Sequence, residues 1–220
     1  MRTDLPTGTV TFFFSDIEGS TRLAQRMGSS FRQLIDEHNA IVRSVVGPAG
    51  AAEVRTVGDA FFLVFTEADA AVQSAIRMQQ ELEGHPWPEE AAVRVRIGLH
   101  TGKGELGGDD YVGVDVHRAA RIADAGHGGQ VLVSEATRLL VDDEGFEFRD
   151  LGVHRLKDLE RSERLSQVMV PSLPAEFPPL RTVAARLNNL PASTTALVGR
   201  EAEVAAIGRL LGDHLSLIHI

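Results

Sequence analysis

Thr9-Val-Thr-Phe-Phe-Phe-Ser-Asp-Ile-Glu-Gly-Ser-Thr21 is the stretch on which the reading of this chain turns. Val10 to Phe14 is a near-continuous apolar run of aromatic and β-branched side chains, the signature of a strand buried on both faces. The character then flips to Asp16, Glu18, Gly19, Ser20 and Thr21. A buried strand that ends in a carboxylate and turns through Gly-Ser-Thr into a helix sets an acid at the sheet's mouth. Beside it lie backbone N–H groups of the kind that bind phosphate.

Moving outward, residues 8–15 form the first strand, and Ser20 or Thr21 is expected to cap the helix that follows. Phe31, Leu34, Ile35, His38, Ile41, Val42 and Val45 recur at helical spacing, so a helix is expected over 30–46, stopped by Gly47-Pro48. Residues 52–57 and 60–65 read as two short strands joined at Gly58-Asp59, a two-residue hairpin signal that puts Asp59 at a tight turn. Thr66 and Asp69 form a capping-box-like pair before a helix whose buried stripe is Ala68, Ala71, Val72, Ala75, Ile76 and Leu82. Val93, Val95, Ile97 and Leu99 alternate with Arg94, Arg96, Gly98 and His100, a strand with one apolar face.

Gly102 to Gly108 reads as a loop, and residues 113–125 as a helix that presents His117 and Arg121 one turn apart. Val131 to Val133 reads as a strand, Ser134 as the cap of a short helix, and further strands are expected near 146–154 and 165–170. This alternation predicts an α/β sandwich, a mixed sheet covered by helices. Pro171, Pro174, Pro178, Pro179 and Pro191 mark 171–195 as a linker, after which 196–212 regains a helical pattern.

The bulk numbers exclude some classes of function. The chain has 220 residues and a formal net charge of −9, which disfavours broad binding to nucleic acid or anionic lipid. It has no cysteine, so disulfides and thiolate metal sites are out. No apolar run reaches the roughly 20 residues of a membrane span, and the N-terminus lacks a signal-peptide pattern. A cytoplasmic protein is expected.

Asp16 and Asp59 carry the chemistry. If the hairpin pairs beside the first strand, both carboxylates meet at one edge of the sheet. Two carboxylates there suit two Mg²⁺ ions whose remaining shell is substrate phosphate, the arrangement for in-line attack at phosphorus. Read one at a time, Asp16 is better explained as a helix cap and Asp59 as a turn former; together, with the sequence around them, the balance reverses.

Four blocks then appear in order: Phe14-Ser-Asp-Ile-Glu-Gly-Ser-Thr21, Arg55-Thr-Val-Gly-Asp-Ala-Phe-Phe62, Arg96-Ile-Gly-Leu-His-Thr-Gly102 and Tyr111-Val-Gly-Val-Asp-Val-His-Arg-Ala-Ala-Arg-Ile122. Together they resemble the signature blocks of class III nucleotide cyclases, the adenylyl and guanylyl cyclase catalytic domains, over roughly residues 6–170. The resemblance implies a ferredoxin-like, palm-type α/β fold and an adenylate cyclase. Such a lyase converts ATP to cyclic AMP and pyrophosphate in intracellular signalling, with two Mg²⁺ or Mn²⁺ ions per site.

It implies Asp16, Asp59 and the backbone carbonyl of Ile17 as metal ligands, and Phe14, Gly19, Ser20 and Thr21 within a phosphate-cradling segment. Arg121 is implied as the residue that stabilises charge on the leaving side and Lys157 as the ligand of the terminal phosphates. Asp110 is implied to recognise the base. It further implies a homodimer, the metal aspartates of each site coming from one chain and the recognising residues from the other. Two positions depart from the family pattern. Arg55 stands where a base-recognising lysine is usual, and His117 where an asparagine is usual. Arg offers a planar fork in place of a point charge, and His a proton whose position depends on pH. A catalytically silent nucleotide-binding module and a GTP substrate are the alternative readings.

Ala196-Leu-Val-Gly-Arg-Glu-Ala-Glu-Val204 resembles the entry segment of signalling ATPase domains, so 196–220 reads as the truncated start of a second domain. Its ending, Leu215-Ser-Leu-Ile-His-Ile220, does not continue that pattern and is read as non-native. His38 is expected to be a partly buried helix residue, His100 a strand-end residue, and Arg94 and Arg96 a solvated or interface strand face.

Overall fold

The computed structural model describes residues 5–89, 91–142 and 145–183. By its contacts the chain divides into a unit spanning Met1–Leu187 and another spanning Asn188–Ile220. The described residues all belong to the first, so the ATPase-like segment expected at 196–220 lies outside them.

The elements run β1 (Gly8–Ile17), α1 (Ser20–Met27), a 3₁₀ turn (Gly28–Ser30), α2 (Phe31–Val46), β2 (Ala52–Val57), β3 (Ala60–Phe65) and α3 (Ala68–Gly84). They continue with β4 (Val95–Gly107), β5 (Asp110–Val112), α4 (Val114–Ala125), β6 (Val131–Ser134), α5 (Glu135–Arg138), β7 (Phe148–His154) and β8 (Glu163–Val168). The strand order is β2-β3-β1-β4-β6-β8-β7, with β5 paired to the far end of β4. Among the described strands only β4 and β6 pair in parallel; the other neighbours are antiparallel. The mixed α/β sheet expected from the alternation is therefore present.

β1 is central and buried because its apolar run serves both faces. Phe13 and Ile17 join the core under α2 and α3, while Val10 and Phe12 join Phe62, Tyr111 and Val116 on the other face. β1 pairs with β4 over ten residues, from Gly8 opposite Gly104 to Ile17 opposite Val95. That register puts Asp16 across from Arg96. It also carries the strand two residues beyond the expected end at 15, so the acid sits on the sheet itself.

Several expectations are corrected. Gly102 to Gly107 is strand, not loop, because its glycines answer to close approach. A Cβ on Gly104 would meet Val10 and Tyr111, and one on Gly102 would meet the Asp115 side chain. Neither Ser20 nor Thr21 caps α1; Gly19 does so in the left-handed region, φ 71°, with its carbonyl taking the Arg22 and Leu23 amides. The Thr66–Asp69 box does not form either. α3 begins at Ala68 with Glu67 as its cap, and Asp69 accepts from the Asp142 amide, 3.1 Å. Ser134 does cap α5, accepting from the Thr137 amide.

His38 is fully buried. Of the expected linker 171–195, residues 171–183 are described, and they pack on the domain. Leu180 is 6% exposed and seated among Ile122, Ala125, Leu132, Leu156 and Leu165, and Thr182 is buried as well.

Candidate active site

The C-terminal end of β1 and the β2–β3 hairpin bring Asp16 and Asp59 to one place. β3 pairs with β1, so the hairpin turn hangs beside the strand's last residues. There the Ile17 amide donates to Asp59 Oδ2 at 2.7 Å, which fastens the turn one residue from Asp16. Asn39 on α2 adds a second tie, its Nδ2 donating to the Gly58 carbonyl at 3.1 Å. Asn39 Oδ1 lies 2.9 Å from Nδ1 of His38, whose proton affinity is lowered mainly by burial.

Asp16 is held from the next strand. Arg96 Nε donates to Asp16 Oδ1 at 2.5 Å and Nη2 to Oδ2 at 2.7 Å, a planar two-point pair. These bonds hold the guanidinium above its ordinary pKa. Arg96 is thus a partly buried site residue and not a solvated face. Its alternation with Val95 and Ile97 was visible in the sequence; nothing there signalled the carboxylate opposite. The Arg96 side chain also meets Asp124 of α4, at 3.5 Å by Nη2 to its carboxylate and 3.3 Å by Nη1 to its carbonyl.

Asp16, Asp59 and the Ile17 carbonyl offer hard oxygen donors. Among the described residues, no group of three or more His, Cys, Asp or Glu comes together as a metal cage. Two carboxylates and a backbone carbonyl are hard oxygen donors of the kind Mg²⁺ accepts, so the residues present fit such an ion. A cation there would share Asp16 with Arg96 or displace it.

α4 carries His117 and Arg121. It can lie against β4 because position 98 is glycine: a Cβ there would fall 2.6 Å from Ala123 Cα. Arg121 donates to Asp124, 3.1 Å, and to Asp158, 2.6 Å. His117, Arg121, Lys157 and Asp158 line one cavity of about 550 Å³. Arg96, Arg121, Asp124 and Lys157 line a second of about 490 Å³. Arg55 and Asp110 face each other, Nη1 to Oδ2 at 3.0 Å, which ties β2 to β5.

The structure therefore brings Asp16, Ile17 and Asp59 together, sets His117, Arg121 and Lys157 around one cavity, and pairs Arg55 with Asp110. Gly19 and Ser20 border the first group in sequence, and Thr21 is exposed on the first turn of α1. Phe14 is engaged elsewhere, stacked on Phe62 with ring centres 4.4 Å apart.

One constellation imitates a nucleophile triad. His100 Nδ1 lies 2.8 Å from Ser134 Oγ, and its Nε2 lies 3.4 Å from Asp115. Ser134 is fully buried and committed to capping α5, so no substrate reaches it. His100 lies inside β4 and not at a strand end; burial, helped by Arg118, lowers its pKa to about 4. Burial opposes the charge on Asp115, but the Lys103 amide, His100 and Arg118 outweigh it and hold the pKa below its ordinary value.

Among the described residues, no helix is long and apolar enough to cross a membrane. The family model of the adenylate and guanylate cyclase catalytic domain matches residues 4–169. An uncharacterized protein of Mycobacterium tuberculosis is 37% identical over 206 residues, covering 91% of this chain and 70% of that protein. A receptor-type adenylate cyclase of Trypanosoma congolense is 34% identical over 173 residues, covering 60% of this chain and 23% of the relative.

Among solved structures, an adenylate cyclase from Trypanosoma brucei superposes with a TM-score of 0.71 at 28% identity, covering 81% of this chain and 96% of that one. The adenylyl cyclase CyaB from P. aeruginosa superposes with a TM-score of 0.65 at 26% identity, covering 75% of this chain and 96% of that one. A sheet that delivers two aspartates to one mouth, with these relatives, leads to one conclusion: the chain belongs to the adenylate and guanylate cyclase catalytic-domain family, the class III nucleotide cyclases.

Proposed function

We propose that this domain is an adenylate cyclase, forming 3′,5′-cyclic AMP and pyrophosphate from ATP at a site completed by a second copy of the chain. The observation that carries the reading is the convergence of Asp59 on the Ile17 amide, one residue from Asp16. Two Mg²⁺ or Mn²⁺ ions held by Asp16, Asp59 and the Ile17 carbonyl would supply Lewis acidity to the 3′-hydroxyl and the α-phosphate.

The chain's own residues do the rest. The segment through Gly19, Ser20 and Thr21 receives phosphate at the start of α1. Lys157 holds the terminal phosphates, and Arg121 and His117 steady the charge that develops towards pyrophosphate. Arg121 must leave Asp158 for that task, and since the pair lies open to solvent the exchange costs little. Exposed Val57, Val112 and Val114 adjoin the hairpin, β5 and the start of α4, which suits a face that a second copy covers.

ATP is favoured because the Asp110 carboxylate can accept from the adenine amino group. Arg55, on the same salt bridge, could instead donate to a guanine carbonyl, so GTP is the competing substrate. A second reading is a nucleotide-binding module without turnover. It is favoured by the ion pairs that occupy Asp16, Arg121 and Arg55.

The deciding experiment incubates the purified chain with Mg²⁺ or Mn²⁺, and with ATP or GTP in parallel, and measures cyclic product. Cyclic AMP in excess, abolished by Asp59→Ala, is expected. ATP binding with no product under either metal would leave the module reading.

A further inference from the structure

We propose that Arg181 is a phosphate-binding residue of this site, delivered by the strap 171–183, and that Glu18 is its built-in competitor. The inference rests on the cyclase reading above and adds to it a residue from outside the matched domain, which ends at 169.

The strap is a fixed piece of structure. Gln167 Nε2 donates to the Ala175 carbonyl at 2.9 Å, and His127 Nε2 donates to the Pro179 carbonyl at 3.1 Å. The Arg181 amide donates to Ala125 at the end of α4, 2.9 Å, and the Val183 amide to Arg155, 3.1 Å. Buried Leu180 pins the stretch between them. The strap thus bridges the helix that carries Arg121 and the loop that carries Lys157.

With its backbone held on both sides, Arg181 keeps its freedom in the side chain. Arg181 lines the cavity of about 490 Å³ together with Arg96, Arg121, Lys157 and Asp124, and also one of about 400 Å³ together with Glu18, His127 and Gly128. The cationic wall of the first is Arg96, Arg121, Lys157 and Arg181; at rest Arg96 pairs with Asp16, Arg121 with Asp124 and Asp158, and Arg181 with Glu18, so a nucleotide triphosphate, the polyanion this reaction brings, has to draw them from those carboxylates. The guanidinium meanwhile rests on Glu18 of the phosphate-cradling segment. The two side chains are 37% and 27% exposed, and ion pairs this open contribute little net stability. A phosphate group with two oxygens to offer can draw the guanidinium away.

The test measures binding of inorganic tripolyphosphate by calorimetry, on the full chain with EDTA present, so that the cationic wall alone is read. Arg181→Met is expected to weaken binding by about five- to tenfold and Glu18→Gln to tighten it by about threefold. Opposite signs are the point. If the pair served only to fasten the strap, both variants would loosen it and shift binding the same way; that result, or no change in Arg181→Met, overturns the proposal. Hydrogen exchange at the Val183 amide reports whether the strap stays docked. Should Arg181→Met release it, Glu18→Gln decides alone, and anything short of tighter binding overturns the proposal. Tripolyphosphate is not turned over, so a chain that made no cyclic product would sink the cyclase reading while the binding data still decided the role of Arg181.

Discussion

His100 spends its life neutral. Its folded pKa of about 4 lies below the ordinary 6.5 because it is buried and faces Arg118, with Asp115 too weak an opponent. Between those two values the unfolded chain takes up a proton that the folded one refuses. Stability therefore holds above pH 6.5 and is lost as pH falls towards 4, by on the order of 3 kcal/mol in all. Urea unfolding at pH 7 and pH 5 should show the drop, and His100→Gln should flatten it. Buried His38 shifts in the same direction and leaves a residual slope. An unchanged slope in His100→Gln would refute the assignment.

At this scale the chain was legible where chemistry interrupts a pattern. Asp16 ends an apolar run and Asp59 follows the glycine of a hairpin, so both announced themselves. Arg96 did not, since a polar residue on an alternating strand reads equally as solvent-facing or ion-paired. The contact of Glu18 with Arg181 joins positions 163 apart in sequence, beyond any local signal.

Among the elements, α4 is the one whose placement the site depends on, and Gly98 is what permits it. Gly98→Ala would drive a methyl group into the Ala123 backbone, which cannot yield as a side-chain tip can. The expected cost is about 1–3 kcal/mol, from overpacking. Cyclase rate should fall further than the stability loss explains, because Arg121 and His117 move with the helix. Gly84→Ala meets nothing within 4 Å and is the control, with melting point and rate near wild type. A Gly98→Ala protein that matched this control would show that α4 has slack. Gly102, Gly104 and Gly107 explain why 102–107 reads as a loop and folds as a strand. A glycine can mark a turn with positive φ or, as at Gly102 and Gly104, a close approach, and spelling alone does not separate the two. The long helices and the β2–β3 hairpin were readable because each repeats its own period over several turns or pairs.

For the whole molecule the question is how many copies make a site. If each site takes Asp16 and Asp59 from one chain and Arg121 and Lys157 from the other, Asp59→Ala and Arg121→Ala should each be silent alone. Mixed in equal amounts they should recover about a quarter of wild-type activity, since half the pairs are mixed and each mixed pair has one sound site. Activity in either variant alone, or none in the mixture, would refute the shared site. Specific activity of the wild type should also fall on dilution.

What the stretch after the last strand does was the least legible feature at this scale, because prolines signal a chain that leaves a fold as readily as one that wraps it. The wrapping has a practical outcome for anyone preparing the protein. A recombinant piece ended at Val170, just past the last strand, would strip Leu180 from its seat and leave Ile122, Leu132 and Leu156 facing water. Such a piece should light up a hydrophobic dye and clump in storage, whereas one carried through Val183 should stay clear.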